Sequence, residues 1–94
     1  MQKITRKELD YFINELNELT NSPLKPYIEV NGKLTGAIGN YHIYGAYGAW
    51  GLHRTMNEGG GIKEIFGLST KRELYNKIRA LIQGFHLANE LKGV

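Results

Sequence analysis

Lysine and arginine stand together at positions 71 and 72, directly behind Ser69-Thr70 and ahead of the apolar-periodic run that ends the chain. Two cations in the opening turn of a helix oppose its dipole, whose positive end lies there. A sequence shaped only for helix stability places acids in that turn. Lys71 and Arg72 make sense where an anion docks, because the free N–H groups of a first turn also favour negative charge. Local compensation by Glu73 is the competing explanation. At about 100° per residue, Arg79 and His86 fall on the same flank as Arg72. Such a strip can track phosphates, and it is also how long cations snorkel at the margin of a core. His42, Arg54 and Lys63 complete the set of residues that could contact phosphate.

A second constellation is "YGAYGAWG", Tyr44 to Gly51, in which glycine recurs every third residue and an aromatic precedes each glycine. With Tyr41, the aromatics Tyr44, Tyr47 and Trp50 exceed what one small core needs. They are either core residues of a small sheet, a stacking platform for bases, or anchors for a protein partner, since tyrosine and tryptophan are enriched at interfaces.

Other chemistry finds little material. Cysteine is absent, so there is no thiol nucleophile, disulfide framework or thiolate metal site. The two serines, Ser22 and Ser69, sit beside expected helix ends, where a boundary or capping role explains them. His42, His53 and His86 have no metal-ligand spacing, and the glycine-rich "GGGIKEIFGLSTKR" lacks the G-x-x-x-x-G-K-[ST] pattern of a phosphate loop. The expectation is a protein that is not an enzyme and holds no metal or cofactor.

These residues must be positioned by a short list of elements. Thr5 to Leu19 reads as a helix, opened by a Thr5/Glu8 capping box and carrying Leu9, Phe12, Ile13, Leu16 and Leu19 on one face. Asn21-Ser22-Pro23 stops it. "YIEVNGKL" reads as β structure around Asn31-Gly32, a pair suited to a type I′ turn. Gly39-Asn40 is a second turn, and Tyr41 to Tyr44 a β-prone run. A period of three fits no one-sided strand, whose side chains alternate with period two. A turn near Tyr47-Gly48 resolves the triplets, with "AWGLHR" returning as the next strand. Asn57 to Gly61 is a loop, and "IKEIF" a short strand or extended connection. Thr70 to Leu91 reads as the second helix, capped by Thr70 and Glu73, with Leu74, Ile78, Leu81, Ile82 and Phe85 inward and Gly84 weakening its middle.

Ninety-four residues make one domain, residues 1–94, with room for one modest core. The net charge is +3, distributed unevenly: residues 1–20 carry three basic and four acidic side chains, residues 52–94 seven and four. The C-terminal half is the better match for an anionic partner. No signal peptide or membrane span is legible, which fits a cytoplasmic protein.

Two resemblances bear on function. "GNYHIYGAYGAWGLHRTMNEGGG" followed by "STKRELYNKIRALIQGF", residues 39–85, resembles small uncharacterised proteins of bacteriophages and prophages. That implies an accessory protein acting in the cytoplasm of a bacterial host, and no reaction. The order α-β-β-β-α, with Pro26-Tyr27 entering the first strand, Gly39-Asn40-Tyr41-His42 as a loop and Lys71-Arg72 opening the last helix, is similar to a double-stranded RNA-binding domain. That family reads duplex shape and phosphates. Tyr75 stands where its basic cluster would end, and the first helix here is acidic.

The expected architecture is α+β: α-β-β-β-α, a small antiparallel sheet of three or four strands with two helices on one face. The expected activity is non-catalytic binding. The partner is nucleic acid, through Lys71, Arg72, Arg79, His42, Arg54 and Lys63. The alternative is a protein, either a bacterial host factor or a second copy in a homodimer, through Tyr41, Tyr44, Tyr47 and Trp50.

Overall fold

The computed structural model describes residues 3–92. Two helices, α1 (Arg6–Leu19) and α2 (Lys71–Lys92), enclose five strands: β1 (Tyr27–Val30), β2 (Lys33–Gly36), β3 (Tyr41–Ala46), β4 (Ala49–Thr55) and β5 (Ile62–Ser69). The class is α+β, as expected. The strands form two antiparallel sheets, one of order β1-β2 and one of order β3-β4-β5. The sheet that carries both helices has three strands, and the "YIEVNGKL" hairpin is a separate ribbon.

Each boundary has a local cause. Thr5 Oγ1 accepts from the Glu8 N–H at 3.1 Å, and Thr70 Oγ1 accepts from the Glu73 N–H at 3.1 Å. Each satisfies one orphan donor of a first helical turn. The first helix ends in a Schellman arrangement: Ser22 N–H donates to Asn17 O at 2.7 Å and Asn21 N–H to Glu18 O at 3.2 Å. Asn21 supplies the positive φ of 55° this requires.

Both tight hairpins close through paired positive φ values, Asn31 and Gly32 at 53° and 80°, Tyr47 and Gly48 at 54° and 74°. The second turn explains the aromatic–glycine triplets. Folding the chain between Tyr47 and Gly48 pairs Tyr44 with Gly51 and Gly45 with Trp50. Tyr44 and Trp50 thus each lie across the ladder from a glycine, and Tyr47 stands in the turn. A Cβ on Gly45 would meet the indole Cζ3 at 2.9 Å, and one on Gly51 would enter the Tyr44 ring. The missing side chains are the space the rings occupy.

The helices pack on each other and on one face of the three-stranded sheet. Leu9 and Leu16 of α1, Leu52 of β4, and Leu74 and Ile78 of α2 are fully buried there, with Ile13, Ile82 and Tyr41 beside them. Burying a side chain of this size contributes about 1.5–3 kcal/mol. One polar group joins this layer: the Asn17 amide, fully buried, donates to Tyr41 O at 3.0 Å and accepts from Tyr41 N–H at 2.8 Å. It occupies the outward-pointing backbone groups of an edge strand, the place where another strand would bond.

The strand β5 runs eight residues, through Gly67, Leu68 and Ser69, beyond the "IKEIF" segment that alternation alone marks. Its far end pairs Ser69 with Trp50. That register delivers the start of α2 to the tip of the β3–β4 hairpin.

Candidate nucleic-acid interface

Three chain segments meet at that tip: the residues entering α1, the first turn of α2, and the Tyr47-Gly48 turn. Trp50, half-buried, is their centre. Its indole lies over Gly45. Lys71 Nζ stands 5.4 Å from the ring centroid and Arg6 Cζ 5.3 Å. An open hollow beside it is lined by Lys3, Ile4, Gly48, Trp50, Thr70, Lys71 and Arg72. A second hollow, sharing Gly48 and Trp50, is lined by Arg6, Ala46 and Tyr47.

Lys3, Arg6, Lys71 and Arg72 converge here. Arg6 Nε is paired with Asp10 at 3.0 Å, about half exposed on both sides, and Glu73 stands in the same first turn of α2 as Lys71 and Arg72. An exposed pair of this kind contributes little, about 0–1 kcal/mol. The cation–indole contacts are similarly weak, roughly 0.5–1 kcal/mol at an exposed site. Stacking of a nucleic-acid base on an aromatic is worth about 1–3 kcal/mol. The contacts of Lys71 and Arg6 with the indole are weaker than such stacking, so they do not lock the ring.

The other expected phosphate contacts are dispersed. Arg79 lies seven residues along α2 from Arg72, roughly 10 Å by helical rise. Its guanidinium rests 5.6 Å from the Tyr75 ring and 6.0 Å from Phe12. Arg54 is four residues along β4 from Trp50, roughly 13 Å. Its Nε donates to Gly39 O at 3.2 Å, and its Cζ is 4.8 Å over Tyr41. Lys63 pairs with Arg54 across β4–β5. His42 is on the sheet face turned away from the helices, paired with His53.

The four aromatics do not share one surface. Tyr41 is buried in the core, at 5% exposure. Tyr44 lies on the face away from the helices, and Trp50 on the helix side. Tyr47 projects at the turn with 102% relative exposure. Sequence reasoning placed Trp50 with the tyrosines; the fold places it with the cations. It also passed over Lys3 and Arg6, whose only signal was basic charge around the start of an otherwise acidic helix.

The helix-averted face holds a polar ladder of its own. His53 stacks on Tyr44 with ring centroids 3.5 Å apart, and His42 meets His53 edge-on at 5.7 Å. Tyr44 OH donates to Glu64 Oε2 at 2.8 Å, and His42 Nδ1 lies 3.0 Å from Asn40 Oδ1. Burial lowers the His42 pKa, and the neighbouring His53 lowers it further. Burial also lowers that of His53, with Glu64 acting in the opposite direction. The bond to Glu64 raises the Tyr44 pKa, because ionising the phenol would remove the donor. Among the described residues, no group of three histidines or acids converges as metal ligands would. No described helix is long and apolar enough to cross a membrane.

No family model, no curated protein and no solved structure matches this chain.

Proposed function

We propose that the protein is a non-catalytic nucleic-acid-binding module whose contact site is the tip formed by Lys3, Arg6, Trp50, Lys71 and Arg72. The observation that carries this reading is an indole with two cations against it, set between two open hollows. Aromatic rings interleaved with cations are what a nucleic acid needs: a surface for a base and charges for its phosphates. Lys71, which opens α2 against its dipole, meets a phosphate in this reading.

Binding measured by anisotropy across a salt series tests it. The expected result is affinity that falls steeply as salt rises. The Lys71→Ala/Arg72→Ala double variant binds more weakly, with a salt slope shallower by about 1.4 on single strands. Affinity indifferent to salt, or unchanged in that variant, removes the reading.

A second reading, protein binding, is favoured by a different surface. The β1–β2 ribbon exposes Tyr27, Ile28, Val30 and Leu34, an apolar set fit to meet a second copy of the chain or a bacterial host protein. Light scattering of the protein and of Leu34→Lys tests self-association: a dimer that the substitution dissociates supports it, and a strict monomer counts against it.

A further inference from the structure

The backbone at Tyr47 reaches beyond a general affinity for nucleic acid. Among the described residues, three other than glycine have positive φ: Asn21, Asn31 and Tyr47. Asparagine tolerates that conformation; a bulky aromatic does so poorly. The first position of a two-residue type I′ turn is suited to asparagine, aspartate or glycine. The chain uses asparagine for this at Asn31, in the same turn type, and tyrosine at position 47. The Tyr47 side chain is fully exposed, so packing does not compensate it. A disfavoured residue without supporting contacts points to a use outside the fold. Its location supplies the use, because Tyr47 and Trp50 line one hollow together with Arg6.

We infer that Tyr47 and Trp50 are stacking surfaces for unpaired bases, so that the nucleic acid held at this tip is single-stranded. The inference rests on reading the tip as a nucleic-acid site. A duplex keeps its base faces inside its own stack, and its recognition calls for a broad basic surface spanning grooves. Here the cations cluster around the rings, while Arg54, Lys63 and His42 lie elsewhere on the sheet. A single strand offers both elements at once, bases for the rings and phosphates for Lys3, Arg6 and Lys71.

The test is anisotropy with three labelled probes, a short oligouridine, the matching oligothymidine and a blunt duplex of mixed sequence, with Trp50 fluorescence read in parallel. At least one single strand is expected to bind about tenfold or more tightly than the duplex and to quench Trp50. Tyr47→Asn is expected to weaken single-strand binding about five- to tenfold, while its urea midpoint stays equal or rises, which separates lost contact from lost folding. Duplex binding as tight as that of the tighter single strand, or affinity unchanged in Tyr47→Asn, overturns the inference. If the duplex binding then depends on Lys71 and Arg72, the broader reading survives. No salt-dependent binding to any probe removes both.

Discussion

The side chain of Asn17 exchanges two hydrogen bonds with the backbone of Tyr41, joining the last buried turn of α1 to the edge of the sheet. Both partners are buried, so water cannot replace the amide. Asn17→Ala leaves a backbone N–H and a C=O unsatisfied, each costing about 1–3 kcal/mol. The expected loss of stability is about 2–4 kcal/mol, read from the urea midpoint. Asn17→Asp can still accept from the Tyr41 N–H and cannot donate to its carbonyl, so it is also expected to destabilise. A loss below about 0.5 kcal/mol in the alanine variant would show that the bridge contributes little.

Two glycines make opposite predictions. A Cβ on Gly51 would meet the Phe66 carbonyl oxygen at 2.8 Å as well as the Tyr44 ring. The ring can turn aside, but the carbonyl belongs to the neighbouring strand. Gly51→Ala is expected to destabilise by about 1–3 kcal/mol, as overpacking does. Gly84 lies inside α2 with open space where its Cβ would be. Gly84→Ala is expected to stabilise by up to about 1 kcal/mol through helix propensity. Thermal unfolding of both variants checks the pair, and a reversed order would contradict the packing described.

The His42–His53 pair predicts a dependence on pH. Both rings hold their protons less tightly in the folded chain than at the ordinary value of 6.5. Below that value the unfolded chain therefore binds more protons, and stability falls with pH until the folded rings are themselves protonated. Asn40, Tyr44 and Glu64 face the same pair, and Glu64 partly offsets the effect at His53. Urea midpoints are expected to drop between about pH 7.5 and pH 5.5, above the range where carboxylates dominate. The drop should be smaller in His42→Gln. An equal drop in that variant would assign the dependence to other groups.

Local features were legible in the sequence where a single stretch determines them. The Thr5 and Thr70 caps, the Asn31-Gly32 turn and the Tyr47-Gly48 turn each depend on neighbouring residues alone, and each stands where the pattern puts it. The aromatic–glycine triplet could also be decoded once the turn was fixed, because pairing follows from the turn centre. What was not legible depended on register between distant segments. Alternation in "IKEIF" ends at Phe66, whereas pairing with β4 carries the strand to Ser69 opposite Trp50. That extension brings Lys71 to the indole, and no local periodicity reports it. The buried Asn17 was equally silent, since an asparagine on a helix flank ordinarily reads as solvated.

The β1–β2 ribbon has a consequence for how the molecule opens. Every residue of β1 is exposed, and the ribbon is held at its base by Gly36 N–H donating to Glu58 O at 2.7 Å, Ala37 N–H donating to Pro26 O at 2.9 Å, and Tyr27 against Gly60. A two-stranded ribbon is marginal by itself. Its amides should therefore exchange with deuterium through local excursions that leave the Leu9–Leu52–Leu74 layer intact, at a free energy well below that of global unfolding. A protease supplied in trace amounts should nick the Asn31-Gly32 apex first and leave a protected remainder.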